Sequence, residues 1–225
     1  KGQRVRGRLV GKKIVPYYSR AEVARLNDKF ADKTILYAED AVELFFLQVQ
    51  GSGRVQLPDG GVVRLAYADT NGYPYQSIGR WLADKGELRV EQASMEGIKN
   101  WAKANPNRLQ EMLNANPSYI FFREGPSSNA GPVGALGQPL TEGRSLAVDP
   151  RSIPLGAPVF LATTYPNSTQ PLQRLMLAQD TGSAIKGGVR GDFYWGFGAD
   201  AGALAGRMRQ KGEMWVLWPR DQVPR

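Results

Sequence analysis

The chain has 225 residues, enough for one large domain or two modest ones, and its 42% hydrophobic and 22% charged content is that of an ordinary globular protein. It holds no histidine and no cysteine, which excludes Ser-His-Asp and Cys-His nucleophiles, the usual zinc sites and any disulfide. The formal charge of +8 favours an anionic partner, yet the basic residues gather only in Lys1 to Lys13 and are scattered elsewhere, which argues against nucleic acid. Proton transfer is left to Asp, Glu, Lys and Tyr. No dense acidic loop of the calcium-binding kind is present, and neither a cofactor nor a metal is expected. The first residues lack the apolar stretch of a signal peptide, which suits a mature or trimmed form as well as a cytoplasmic protein.

Taken in chain order, Lys1 to Arg20 reads as a basic peripheral arm with turn residues Gly2, Gly7 and Gly11. Ser19 to Phe30 predicts a short helix, its apolar positions Val23, Leu26 and Phe30 falling three to four apart. Ala38 to Gln50 fits a helical face and a strand about equally, and Gly51-Ser52-Gly53 ends either. Val55 to Leu57 and Val62 to Tyr67 flank Pro58-Asp59-Gly60-Gly61, a hairpin signal, and Asn71 to Pro74 is a second turn. Helices are predicted at Ile78 to Lys85, Ser94 to Lys103 and Pro106 to Ala115, the last with Asn105 as its N-cap. Tyr119 to Arg123 returns to strand, and the Gly- and Pro-rich Glu124 to Gly143 reads as a crossover or domain boundary.

Beyond it Leu146 to Val148, Val159 to Ala162, Leu175 to Ala178 and Glu213 to Trp218 are short β runs. Asp200 is placed to cap a helix reaching about Lys211, closed by Gly212. Trp81 and Trp101 read as helix-packing residues, and Trp215 and Trp218 as core.

Three aspartates follow apolar β runs: Asp149 in Val148-Asp149-Pro150, Asp180 in Asp180-Thr181-Gly182, and Asp192 in Gly191-Asp192-Phe193-Tyr194-Trp195. A lone aspartate at a strand end is most often a turn residue whose carboxylate bonds nearby amides. The combination of three, with Lys186 between and the aromatics Phe193, Tyr194 and Trp195 beside, instead matches the lining of a sugar cleft. Ring faces pack on sugars there, and carboxylates bond hydroxyls or move protons.

Leu47-Gln48-Val49-Gln50-Gly51-Ser52-Gly53, Asn71-Gly72-Tyr73-Pro74-Tyr75-Gln76-Ser77-Ile78-Gly79, Asp180 to Gly187, Asp192-Phe193-Tyr194 and Gly196-Phe197-Gly198 occur in this order along the chain. Together they resemble the membrane-bound lytic murein transglycosylase A family with its C-terminal three-aspartate domain. The resemblance implies a mainly β fold with a few short helices, in which a double-psi β-barrel is joined by a second, smaller β-rich domain. It divides the chain into an inserted domain over 1–130 and the C-terminal barrel segment over 131–225, with a substrate groove between. Family members carry a further segment ahead of this point, so a processed or trimmed protein is expected, with a possible membrane anchor in the part that precedes it. One departure is an extra residue between Asp180 and Asp192, in Gly187 to Gly191.

What the resemblance implies for function is cleavage of the β-1,4 bond between N-acetylmuramic acid and N-acetylglucosamine, leaving a 1,6-anhydro end, in the periplasm near the outer membrane. Asp192 matches the family's catalytic aspartate, and Asp180 and Asp149 the other two. Gln50, Gly51, Ser52, Tyr73, Tyr75, Ser77, Lys186 and Tyr194 are the implied glycan-binding residues. The implied partners are peptidoglycan strands and other cell-wall enzymes. A single aspartate must then serve as acid and as base, held protonated near neutrality against an ordinary pKa of about 3.9 by Asp180, Asp149 and apolar neighbours. Lys186 is expected to face substrate or another aspartate. Two other readings stay open: a non-cutting, expansin-like polysaccharide binder, and a hydrolase in which Asp180 or Asp149 activates water.

Overall fold

The basic N-terminal segment forms a ribbon, in which β1 (Arg8–Val10) pairs antiparallel with β2 (Lys13–Val15). The computed structural model describes residues 6–125, 130–182 and 184–222, so part of the predicted arm, part of the crossover and Ser183 lie outside the described residues. The chain divides into two units, residues 1–127 and 128–225.

In the first unit, capping chemistry sets the helix starts. Ser19 and Glu22 form a reciprocal capping box that opens α1 (Arg20–Arg25), and a 3₁₀ stretch, Asn27–Lys33, follows. Asp40 decides the ambiguous segment. Its carboxylate accepts from the Val42 and Glu43 amides at 2.7 and 3.1 Å, and α2 (Ala41–Gln50) runs from there with Val42, Phe45 and Gln48 buried at helical spacing. The predicted hairpin forms as β3 (Gly53–Gln56) against β4 (Val62–Thr70), and β4 pairs with β5 (Ile120–Glu124), giving the sheet order β3-β4-β5. Between them come α3 (Ile78–Asp84), α4 (Met95–Ala104) and α5 (Leu109–Asn114). The buried core of this unit is carried by those helices and α2, through Phe45, Ile78, Leu82, Trp101 and Met112. Asn105 holds the N-cap position ahead of Pro106, as expected, but makes no side-chain cap. Its side chain donates back to the Trp101 carbonyl at 2.9 Å, and Pro106–Arg108 is a 3₁₀ turn before α5.

The second unit is a five-stranded sheet in the order β10-β7-β8-β6-β9, built from β6 (Ser145–Val148), β7 (Pro158–Thr164), β8 (Pro171–Asp180), β9 (Gly191–Phe193) and β10 (Glu213–Val216). Only β6 and β8 run parallel; the other neighbours are antiparallel. Leu146, Val148, Val159, Leu161, Met176 and Ala178 form the core on one face. With ten strands and six short α-helices among the described residues, the fold is mainly β.

Two expectations for this unit change. The helix α6 (Gly198–Arg207) begins after Phe197 with Asp200 inside its first turn, and it ends at Met208 rather than near Lys211. Gly212 serves close approach instead of capping, since a Cβ there would sit 2.6 Å from the Ala162 carbonyl oxygen. Trp215 and Trp218 are not core: they are 48% and 38% exposed. Strand alternation is the reason. Met214 and Val216 pack on the core, so Trp215 faces the other way, where its ring meets Phe160 at 6.0 Å. Leu175 and Leu177 on β8 are exposed as well, making that face apolar too.

Candidate active site

The three aspartates converge on one end of the sheet in the second unit because of strand register. Ala147 on β6 is the register partner of Asp180 on β8 and of Asp192 on β9. The two acids therefore occupy one rung with Ala147 between them, two strand spacings apart, or about 10 Å between Cα atoms. A bulge makes this possible. Leu146 pairs with Ala178 but Ala147 with Asp180, so Gln179 is the extra residue and Asp180 is turned onto the Ala147 face. The bulge is braced by Ser145, whose hydroxyl donates to Gln179 Oε1 at 2.6 Å. Among the described residues no group of three acids is close enough to hold a metal ion.

Each carboxylate has its own surroundings. Asp149, one residue past β6, is 2% exposed and fully occupied. Its Oδ1 accepts from the Arg151 amide and Nε, both at 3.1 Å, and its Oδ2 from Arg151 Nη2 at 2.8 Å and the Gly187 amide at 2.9 Å. The Arg151 guanidinium and those amides hold this carboxyl far below the usual range. It behaves as the turn aspartate of the plainer sequence reading, pinning the loop between β8 and β9 through Gly187. Neutralised by Arg151, it is not the like charge expected to raise Asp192.

Asp180 is half-buried, and burial raises its carboxyl above the ordinary range, opposed by amide bonds from Thr181 and Ala135. The Ala135 amide lies 2.9 Å from Asp180 Oδ1, brought there by a close approach at Gly134, where a Cβ would come within 2.5 Å of the Gln179 carbonyl oxygen. The segment read as a mere crossover thus supplies a donor to the site. Asp192 is exposed, and the cation on it is Arg190, not Lys186, which lies exposed on the loop. Tyr194, two residues on, is half-buried with its ring edge-on to Phe197 at 6.0 Å.

Sequence reasoning missed Arg151, Arg190 and the Ala135 amide. The two arginines share a signal: each stands two residues from its aspartate, Arg190 just ahead of β9 and Arg151 in the turn after β6, where its amide also donates to Asp149.

The Asp149 geometry fixes a pH dependence. A carboxyl depressed in the folded state contributes stability that is complete above its unfolded pKa, about 3.9, and lost as pH falls below that value. Asp149→Asn is therefore expected to lower the melting temperature at pH 7 and to flatten its fall between pH 5 and 2. Thermal melts across that range check it. An acid limb as steep as the parent's assigns the effect to other carboxylates.

The remaining candidates belong to the first unit. Gln50 is exposed at the end of α2, and Gly51 caps the helix in the left-handed conformation, φ 80°, with its amide on the Leu47 carbonyl. A Cβ at Gly51 would meet only Tyr67, at 3.9 Å, so Gly51→Ala is expected to cost about 1 kcal/mol, from backbone strain alone. Urea unfolding measures it. Ser52 is half-buried, while Gln48 in the same motif is buried, its Nε2 donating to the Ile120 carbonyl at 3.3 Å.

Ser77 is the N-cap of α3, its hydroxyl accepting from the Arg80 amide at 3.2 Å. Tyr75 is 39% exposed, with a hydroxyl bonded to Ser77 and raised by burial, and Tyr73 is half-buried. Asn71 positions this segment: Nδ2 donates to the Tyr18 and Pro117 carbonyls, both at 2.9 Å, and Oδ1 accepts from the amides of Tyr73 at 3.4 Å and Tyr119 at 2.9 Å. Asn116 Oδ1 accepts from the Gln76 amide at 3.0 Å, and the buried Arg20 donates to the Asn116 and Ser118 carbonyls at 3.1 and 2.8 Å. Burial pushes that guanidinium down to about 10.

Comparison with known proteins matches residues 1–123 to the MltA specific insert domain and residues 144–218 to the 3D domain. The chain is 36% identical over 208 residues to the membrane-bound lytic murein transglycosylase A of Escherichia coli K12, which covers 88% of this chain and 55% of that protein. It is similar to the crystal structure of MltA from Neisseria gonorrhoeae, with TM-score 0.85 and 51% identity over 97% of this chain and 56% of that one. It is also similar to Escherichia coli MltA with bound chitohexaose, with TM-score 0.76 and 33% identity over 94% of this chain and 67% of that one. The mainly β fold is thus of the double-psi β-barrel type of these neighbours. The chain spans about half the length of the curated relatives it matches.

Proposed function

The chain belongs to the MltA family of lytic murein transglycosylases, and from that premise we propose that it cleaves the β-1,4 bond between N-acetylmuramic acid and N-acetylglucosamine in peptidoglycan, with Asp192 as acid and then base. Protonated Asp192 donates to the glycosidic oxygen as the C1–O bond breaks and its electron pair passes to that oxygen. The C6 hydroxyl of the same muramic residue attacks C1, and its proton returns to Asp192. No water is consumed, and the tethered hydroxyl gains the advantage of an intramolecular reaction.

The observation that carries this reading is the shared rung. It sets the exposed Asp192 and the half-buried Asp180 on either side of Ala147, with their Cα atoms about 10 Å apart. Asp180 lines the same face and Asp149 fixes the loop. The binding of chitohexaose by the Escherichia coli relative supports a glycan substrate, for which the exposed Gln50, Tyr75 and Lys186 are the proposed contacts. Mass spectrometry of murein treated with this chain tests the reading. Anhydro-muropeptides support it, reducing ends turn it into hydrolysis, and binding without products leaves the expansin-like reading.

One observation favours a second assignment of the proton. Asp180, raised by burial, is better suited than an arginine-paired group to arrive protonated, so Asp180 as donor is the competing form of the same reaction. The relatives are named membrane-bound, and among the described residues no helix is long and apolar enough to cross a membrane. We assign the protein to the cell envelope on the family's name, and fractionation of cells making it checks that.

A further inference from the structure

Arg190 grips Asp192 at two points. Its Nε donates to Oδ1 at 3.1 Å and its Nη2 to Oδ2 at 3.3 Å, while Nη1 donates to the Ala184 carbonyl at 2.8 Å. The third bond ties the guanidinium to the loop between β8 and β9, which distinguishes it from a surface pair held at one contact. Both side chains are 49% exposed, so an incoming glycan reaches the pair directly. Glycines stand on either side of the pair: Gly187, with φ 86°, is bonded to Asp149, and Gly188 and Gly191 surround Val189 and Arg190.

Resting on the transglycosylase reading, we propose that Arg190 is a positioning residue that holds Asp192 ionised and oriented in the free protein, so that Asp192 takes up its proton only as the guanidinium leaves. The other charges around β9 do not duplicate this. On β8, Asp180 shares the rung across Ala147 and brings no cation to Asp192. On β6, no residue from Ser145 to Val148 is charged; Arg144 before it donates to the Leu175 carbonyl, and Asp149 after it is neutralised by Arg151. Lys186 is exposed on the loop. Displacement of Arg190 thus couples arrival of the glycan to arming of the acid, and the freed guanidinium returns when the product leaves.

Carbon-13 titration of aspartate-labelled chain in the parent, Arg190→Gln and Arg190→Lys forms tests this, with Asp192→Asn assigning the signal. The Asp192 midpoint is expected to rise by about half a unit in Arg190→Gln, with Arg190→Lys between. The alkaline limb of anhydro-product formation moves with it, giving about a threefold faster rate near pH 7 in Arg190→Gln. Equal midpoints in the three forms overturn the proposal, as does a moved midpoint beside an unmoved rate profile. Absence of anhydro product from the parent sinks the transglycosylase reading, and the proposed part of Arg190 in catalysis with it. The titration then still reports separately whether Arg190 holds the carboxylate.

Discussion

Asp192→Asn is expected to reduce anhydro-muropeptide formation by about a thousandfold while leaving the melting temperature within a degree or two. A positioned acid–base group contributes on the order of 10²–10⁴ in rate, and the amide can neither donate the proton nor recover it. The side chain is half exposed and keeps its shape in the variant, so little packing is lost. Asp180→Asn is the necessary partner experiment. It removes a charge on the same rung but not the proposed donor, and a loss of about ten- to a hundredfold is expected. If the two losses exchange places, Asp180 is the donor and Asp192 the supporting charge. If both variants retain the parent rate, neither acid takes part and the rung is structural.

Asn71→Ala is expected to destabilise the first unit by about 4 kcal/mol, the largest effect on folding predicted for any substitution considered. Asn71 is 2% exposed, and its carboxamide satisfies two carbonyls and two amides drawn from three separate stretches of chain. Alanine removes the partner of all four part-buried groups, each loss costing about 1–3 kcal/mol before relaxation. Asn71→Asp retains the acceptor but loses both donors and buries a charge, so it should be no milder at neutral pH. Urea unfolding followed by amide exchange at Tyr73 and Tyr119 measures it. A loss under about 1 kcal/mol in Asn71→Ala means water replaces the carboxamide and the staple is dispensable.

That staple also shows how far the sequence could be read. Asn71-Gly72 reads correctly as a turn, and the Asp-Gly hairpin, the capped helices and most strands follow from local chemistry that acts within a few residues. The partners of Asn71 at Pro117 and Tyr119 are more than forty residues away, and no local pattern announces them. The same limit governs the site. Three aspartates at strand ends are visible in the sequence, but their separation depends on register and on one bulge at Gln179, which only the paired strands define. Asp149 illustrates the cost of reading residue types alone: as a letter it equals Asp192, yet Arg151 and two amides leave it no free acceptor for catalysis. Trp215 and Trp218 erred for a related reason. Hydrophobicity marks them for burial, but this sheet is apolar on both faces, and strand alternation sends Trp215 to the uncovered one.

The rung through Ala147 works as a ruler made of backbone. Distance between Asp180 and Asp192 is set by two inter-strand spacings, a quantity no side chain adjusts, and the chain joining them enters it nowhere. The loop from Thr181 to Arg190 can therefore lengthen or shorten while both acids stay where the ladder puts them. Arg190, at the end of that loop, reaches the acid without entering the measure of the site.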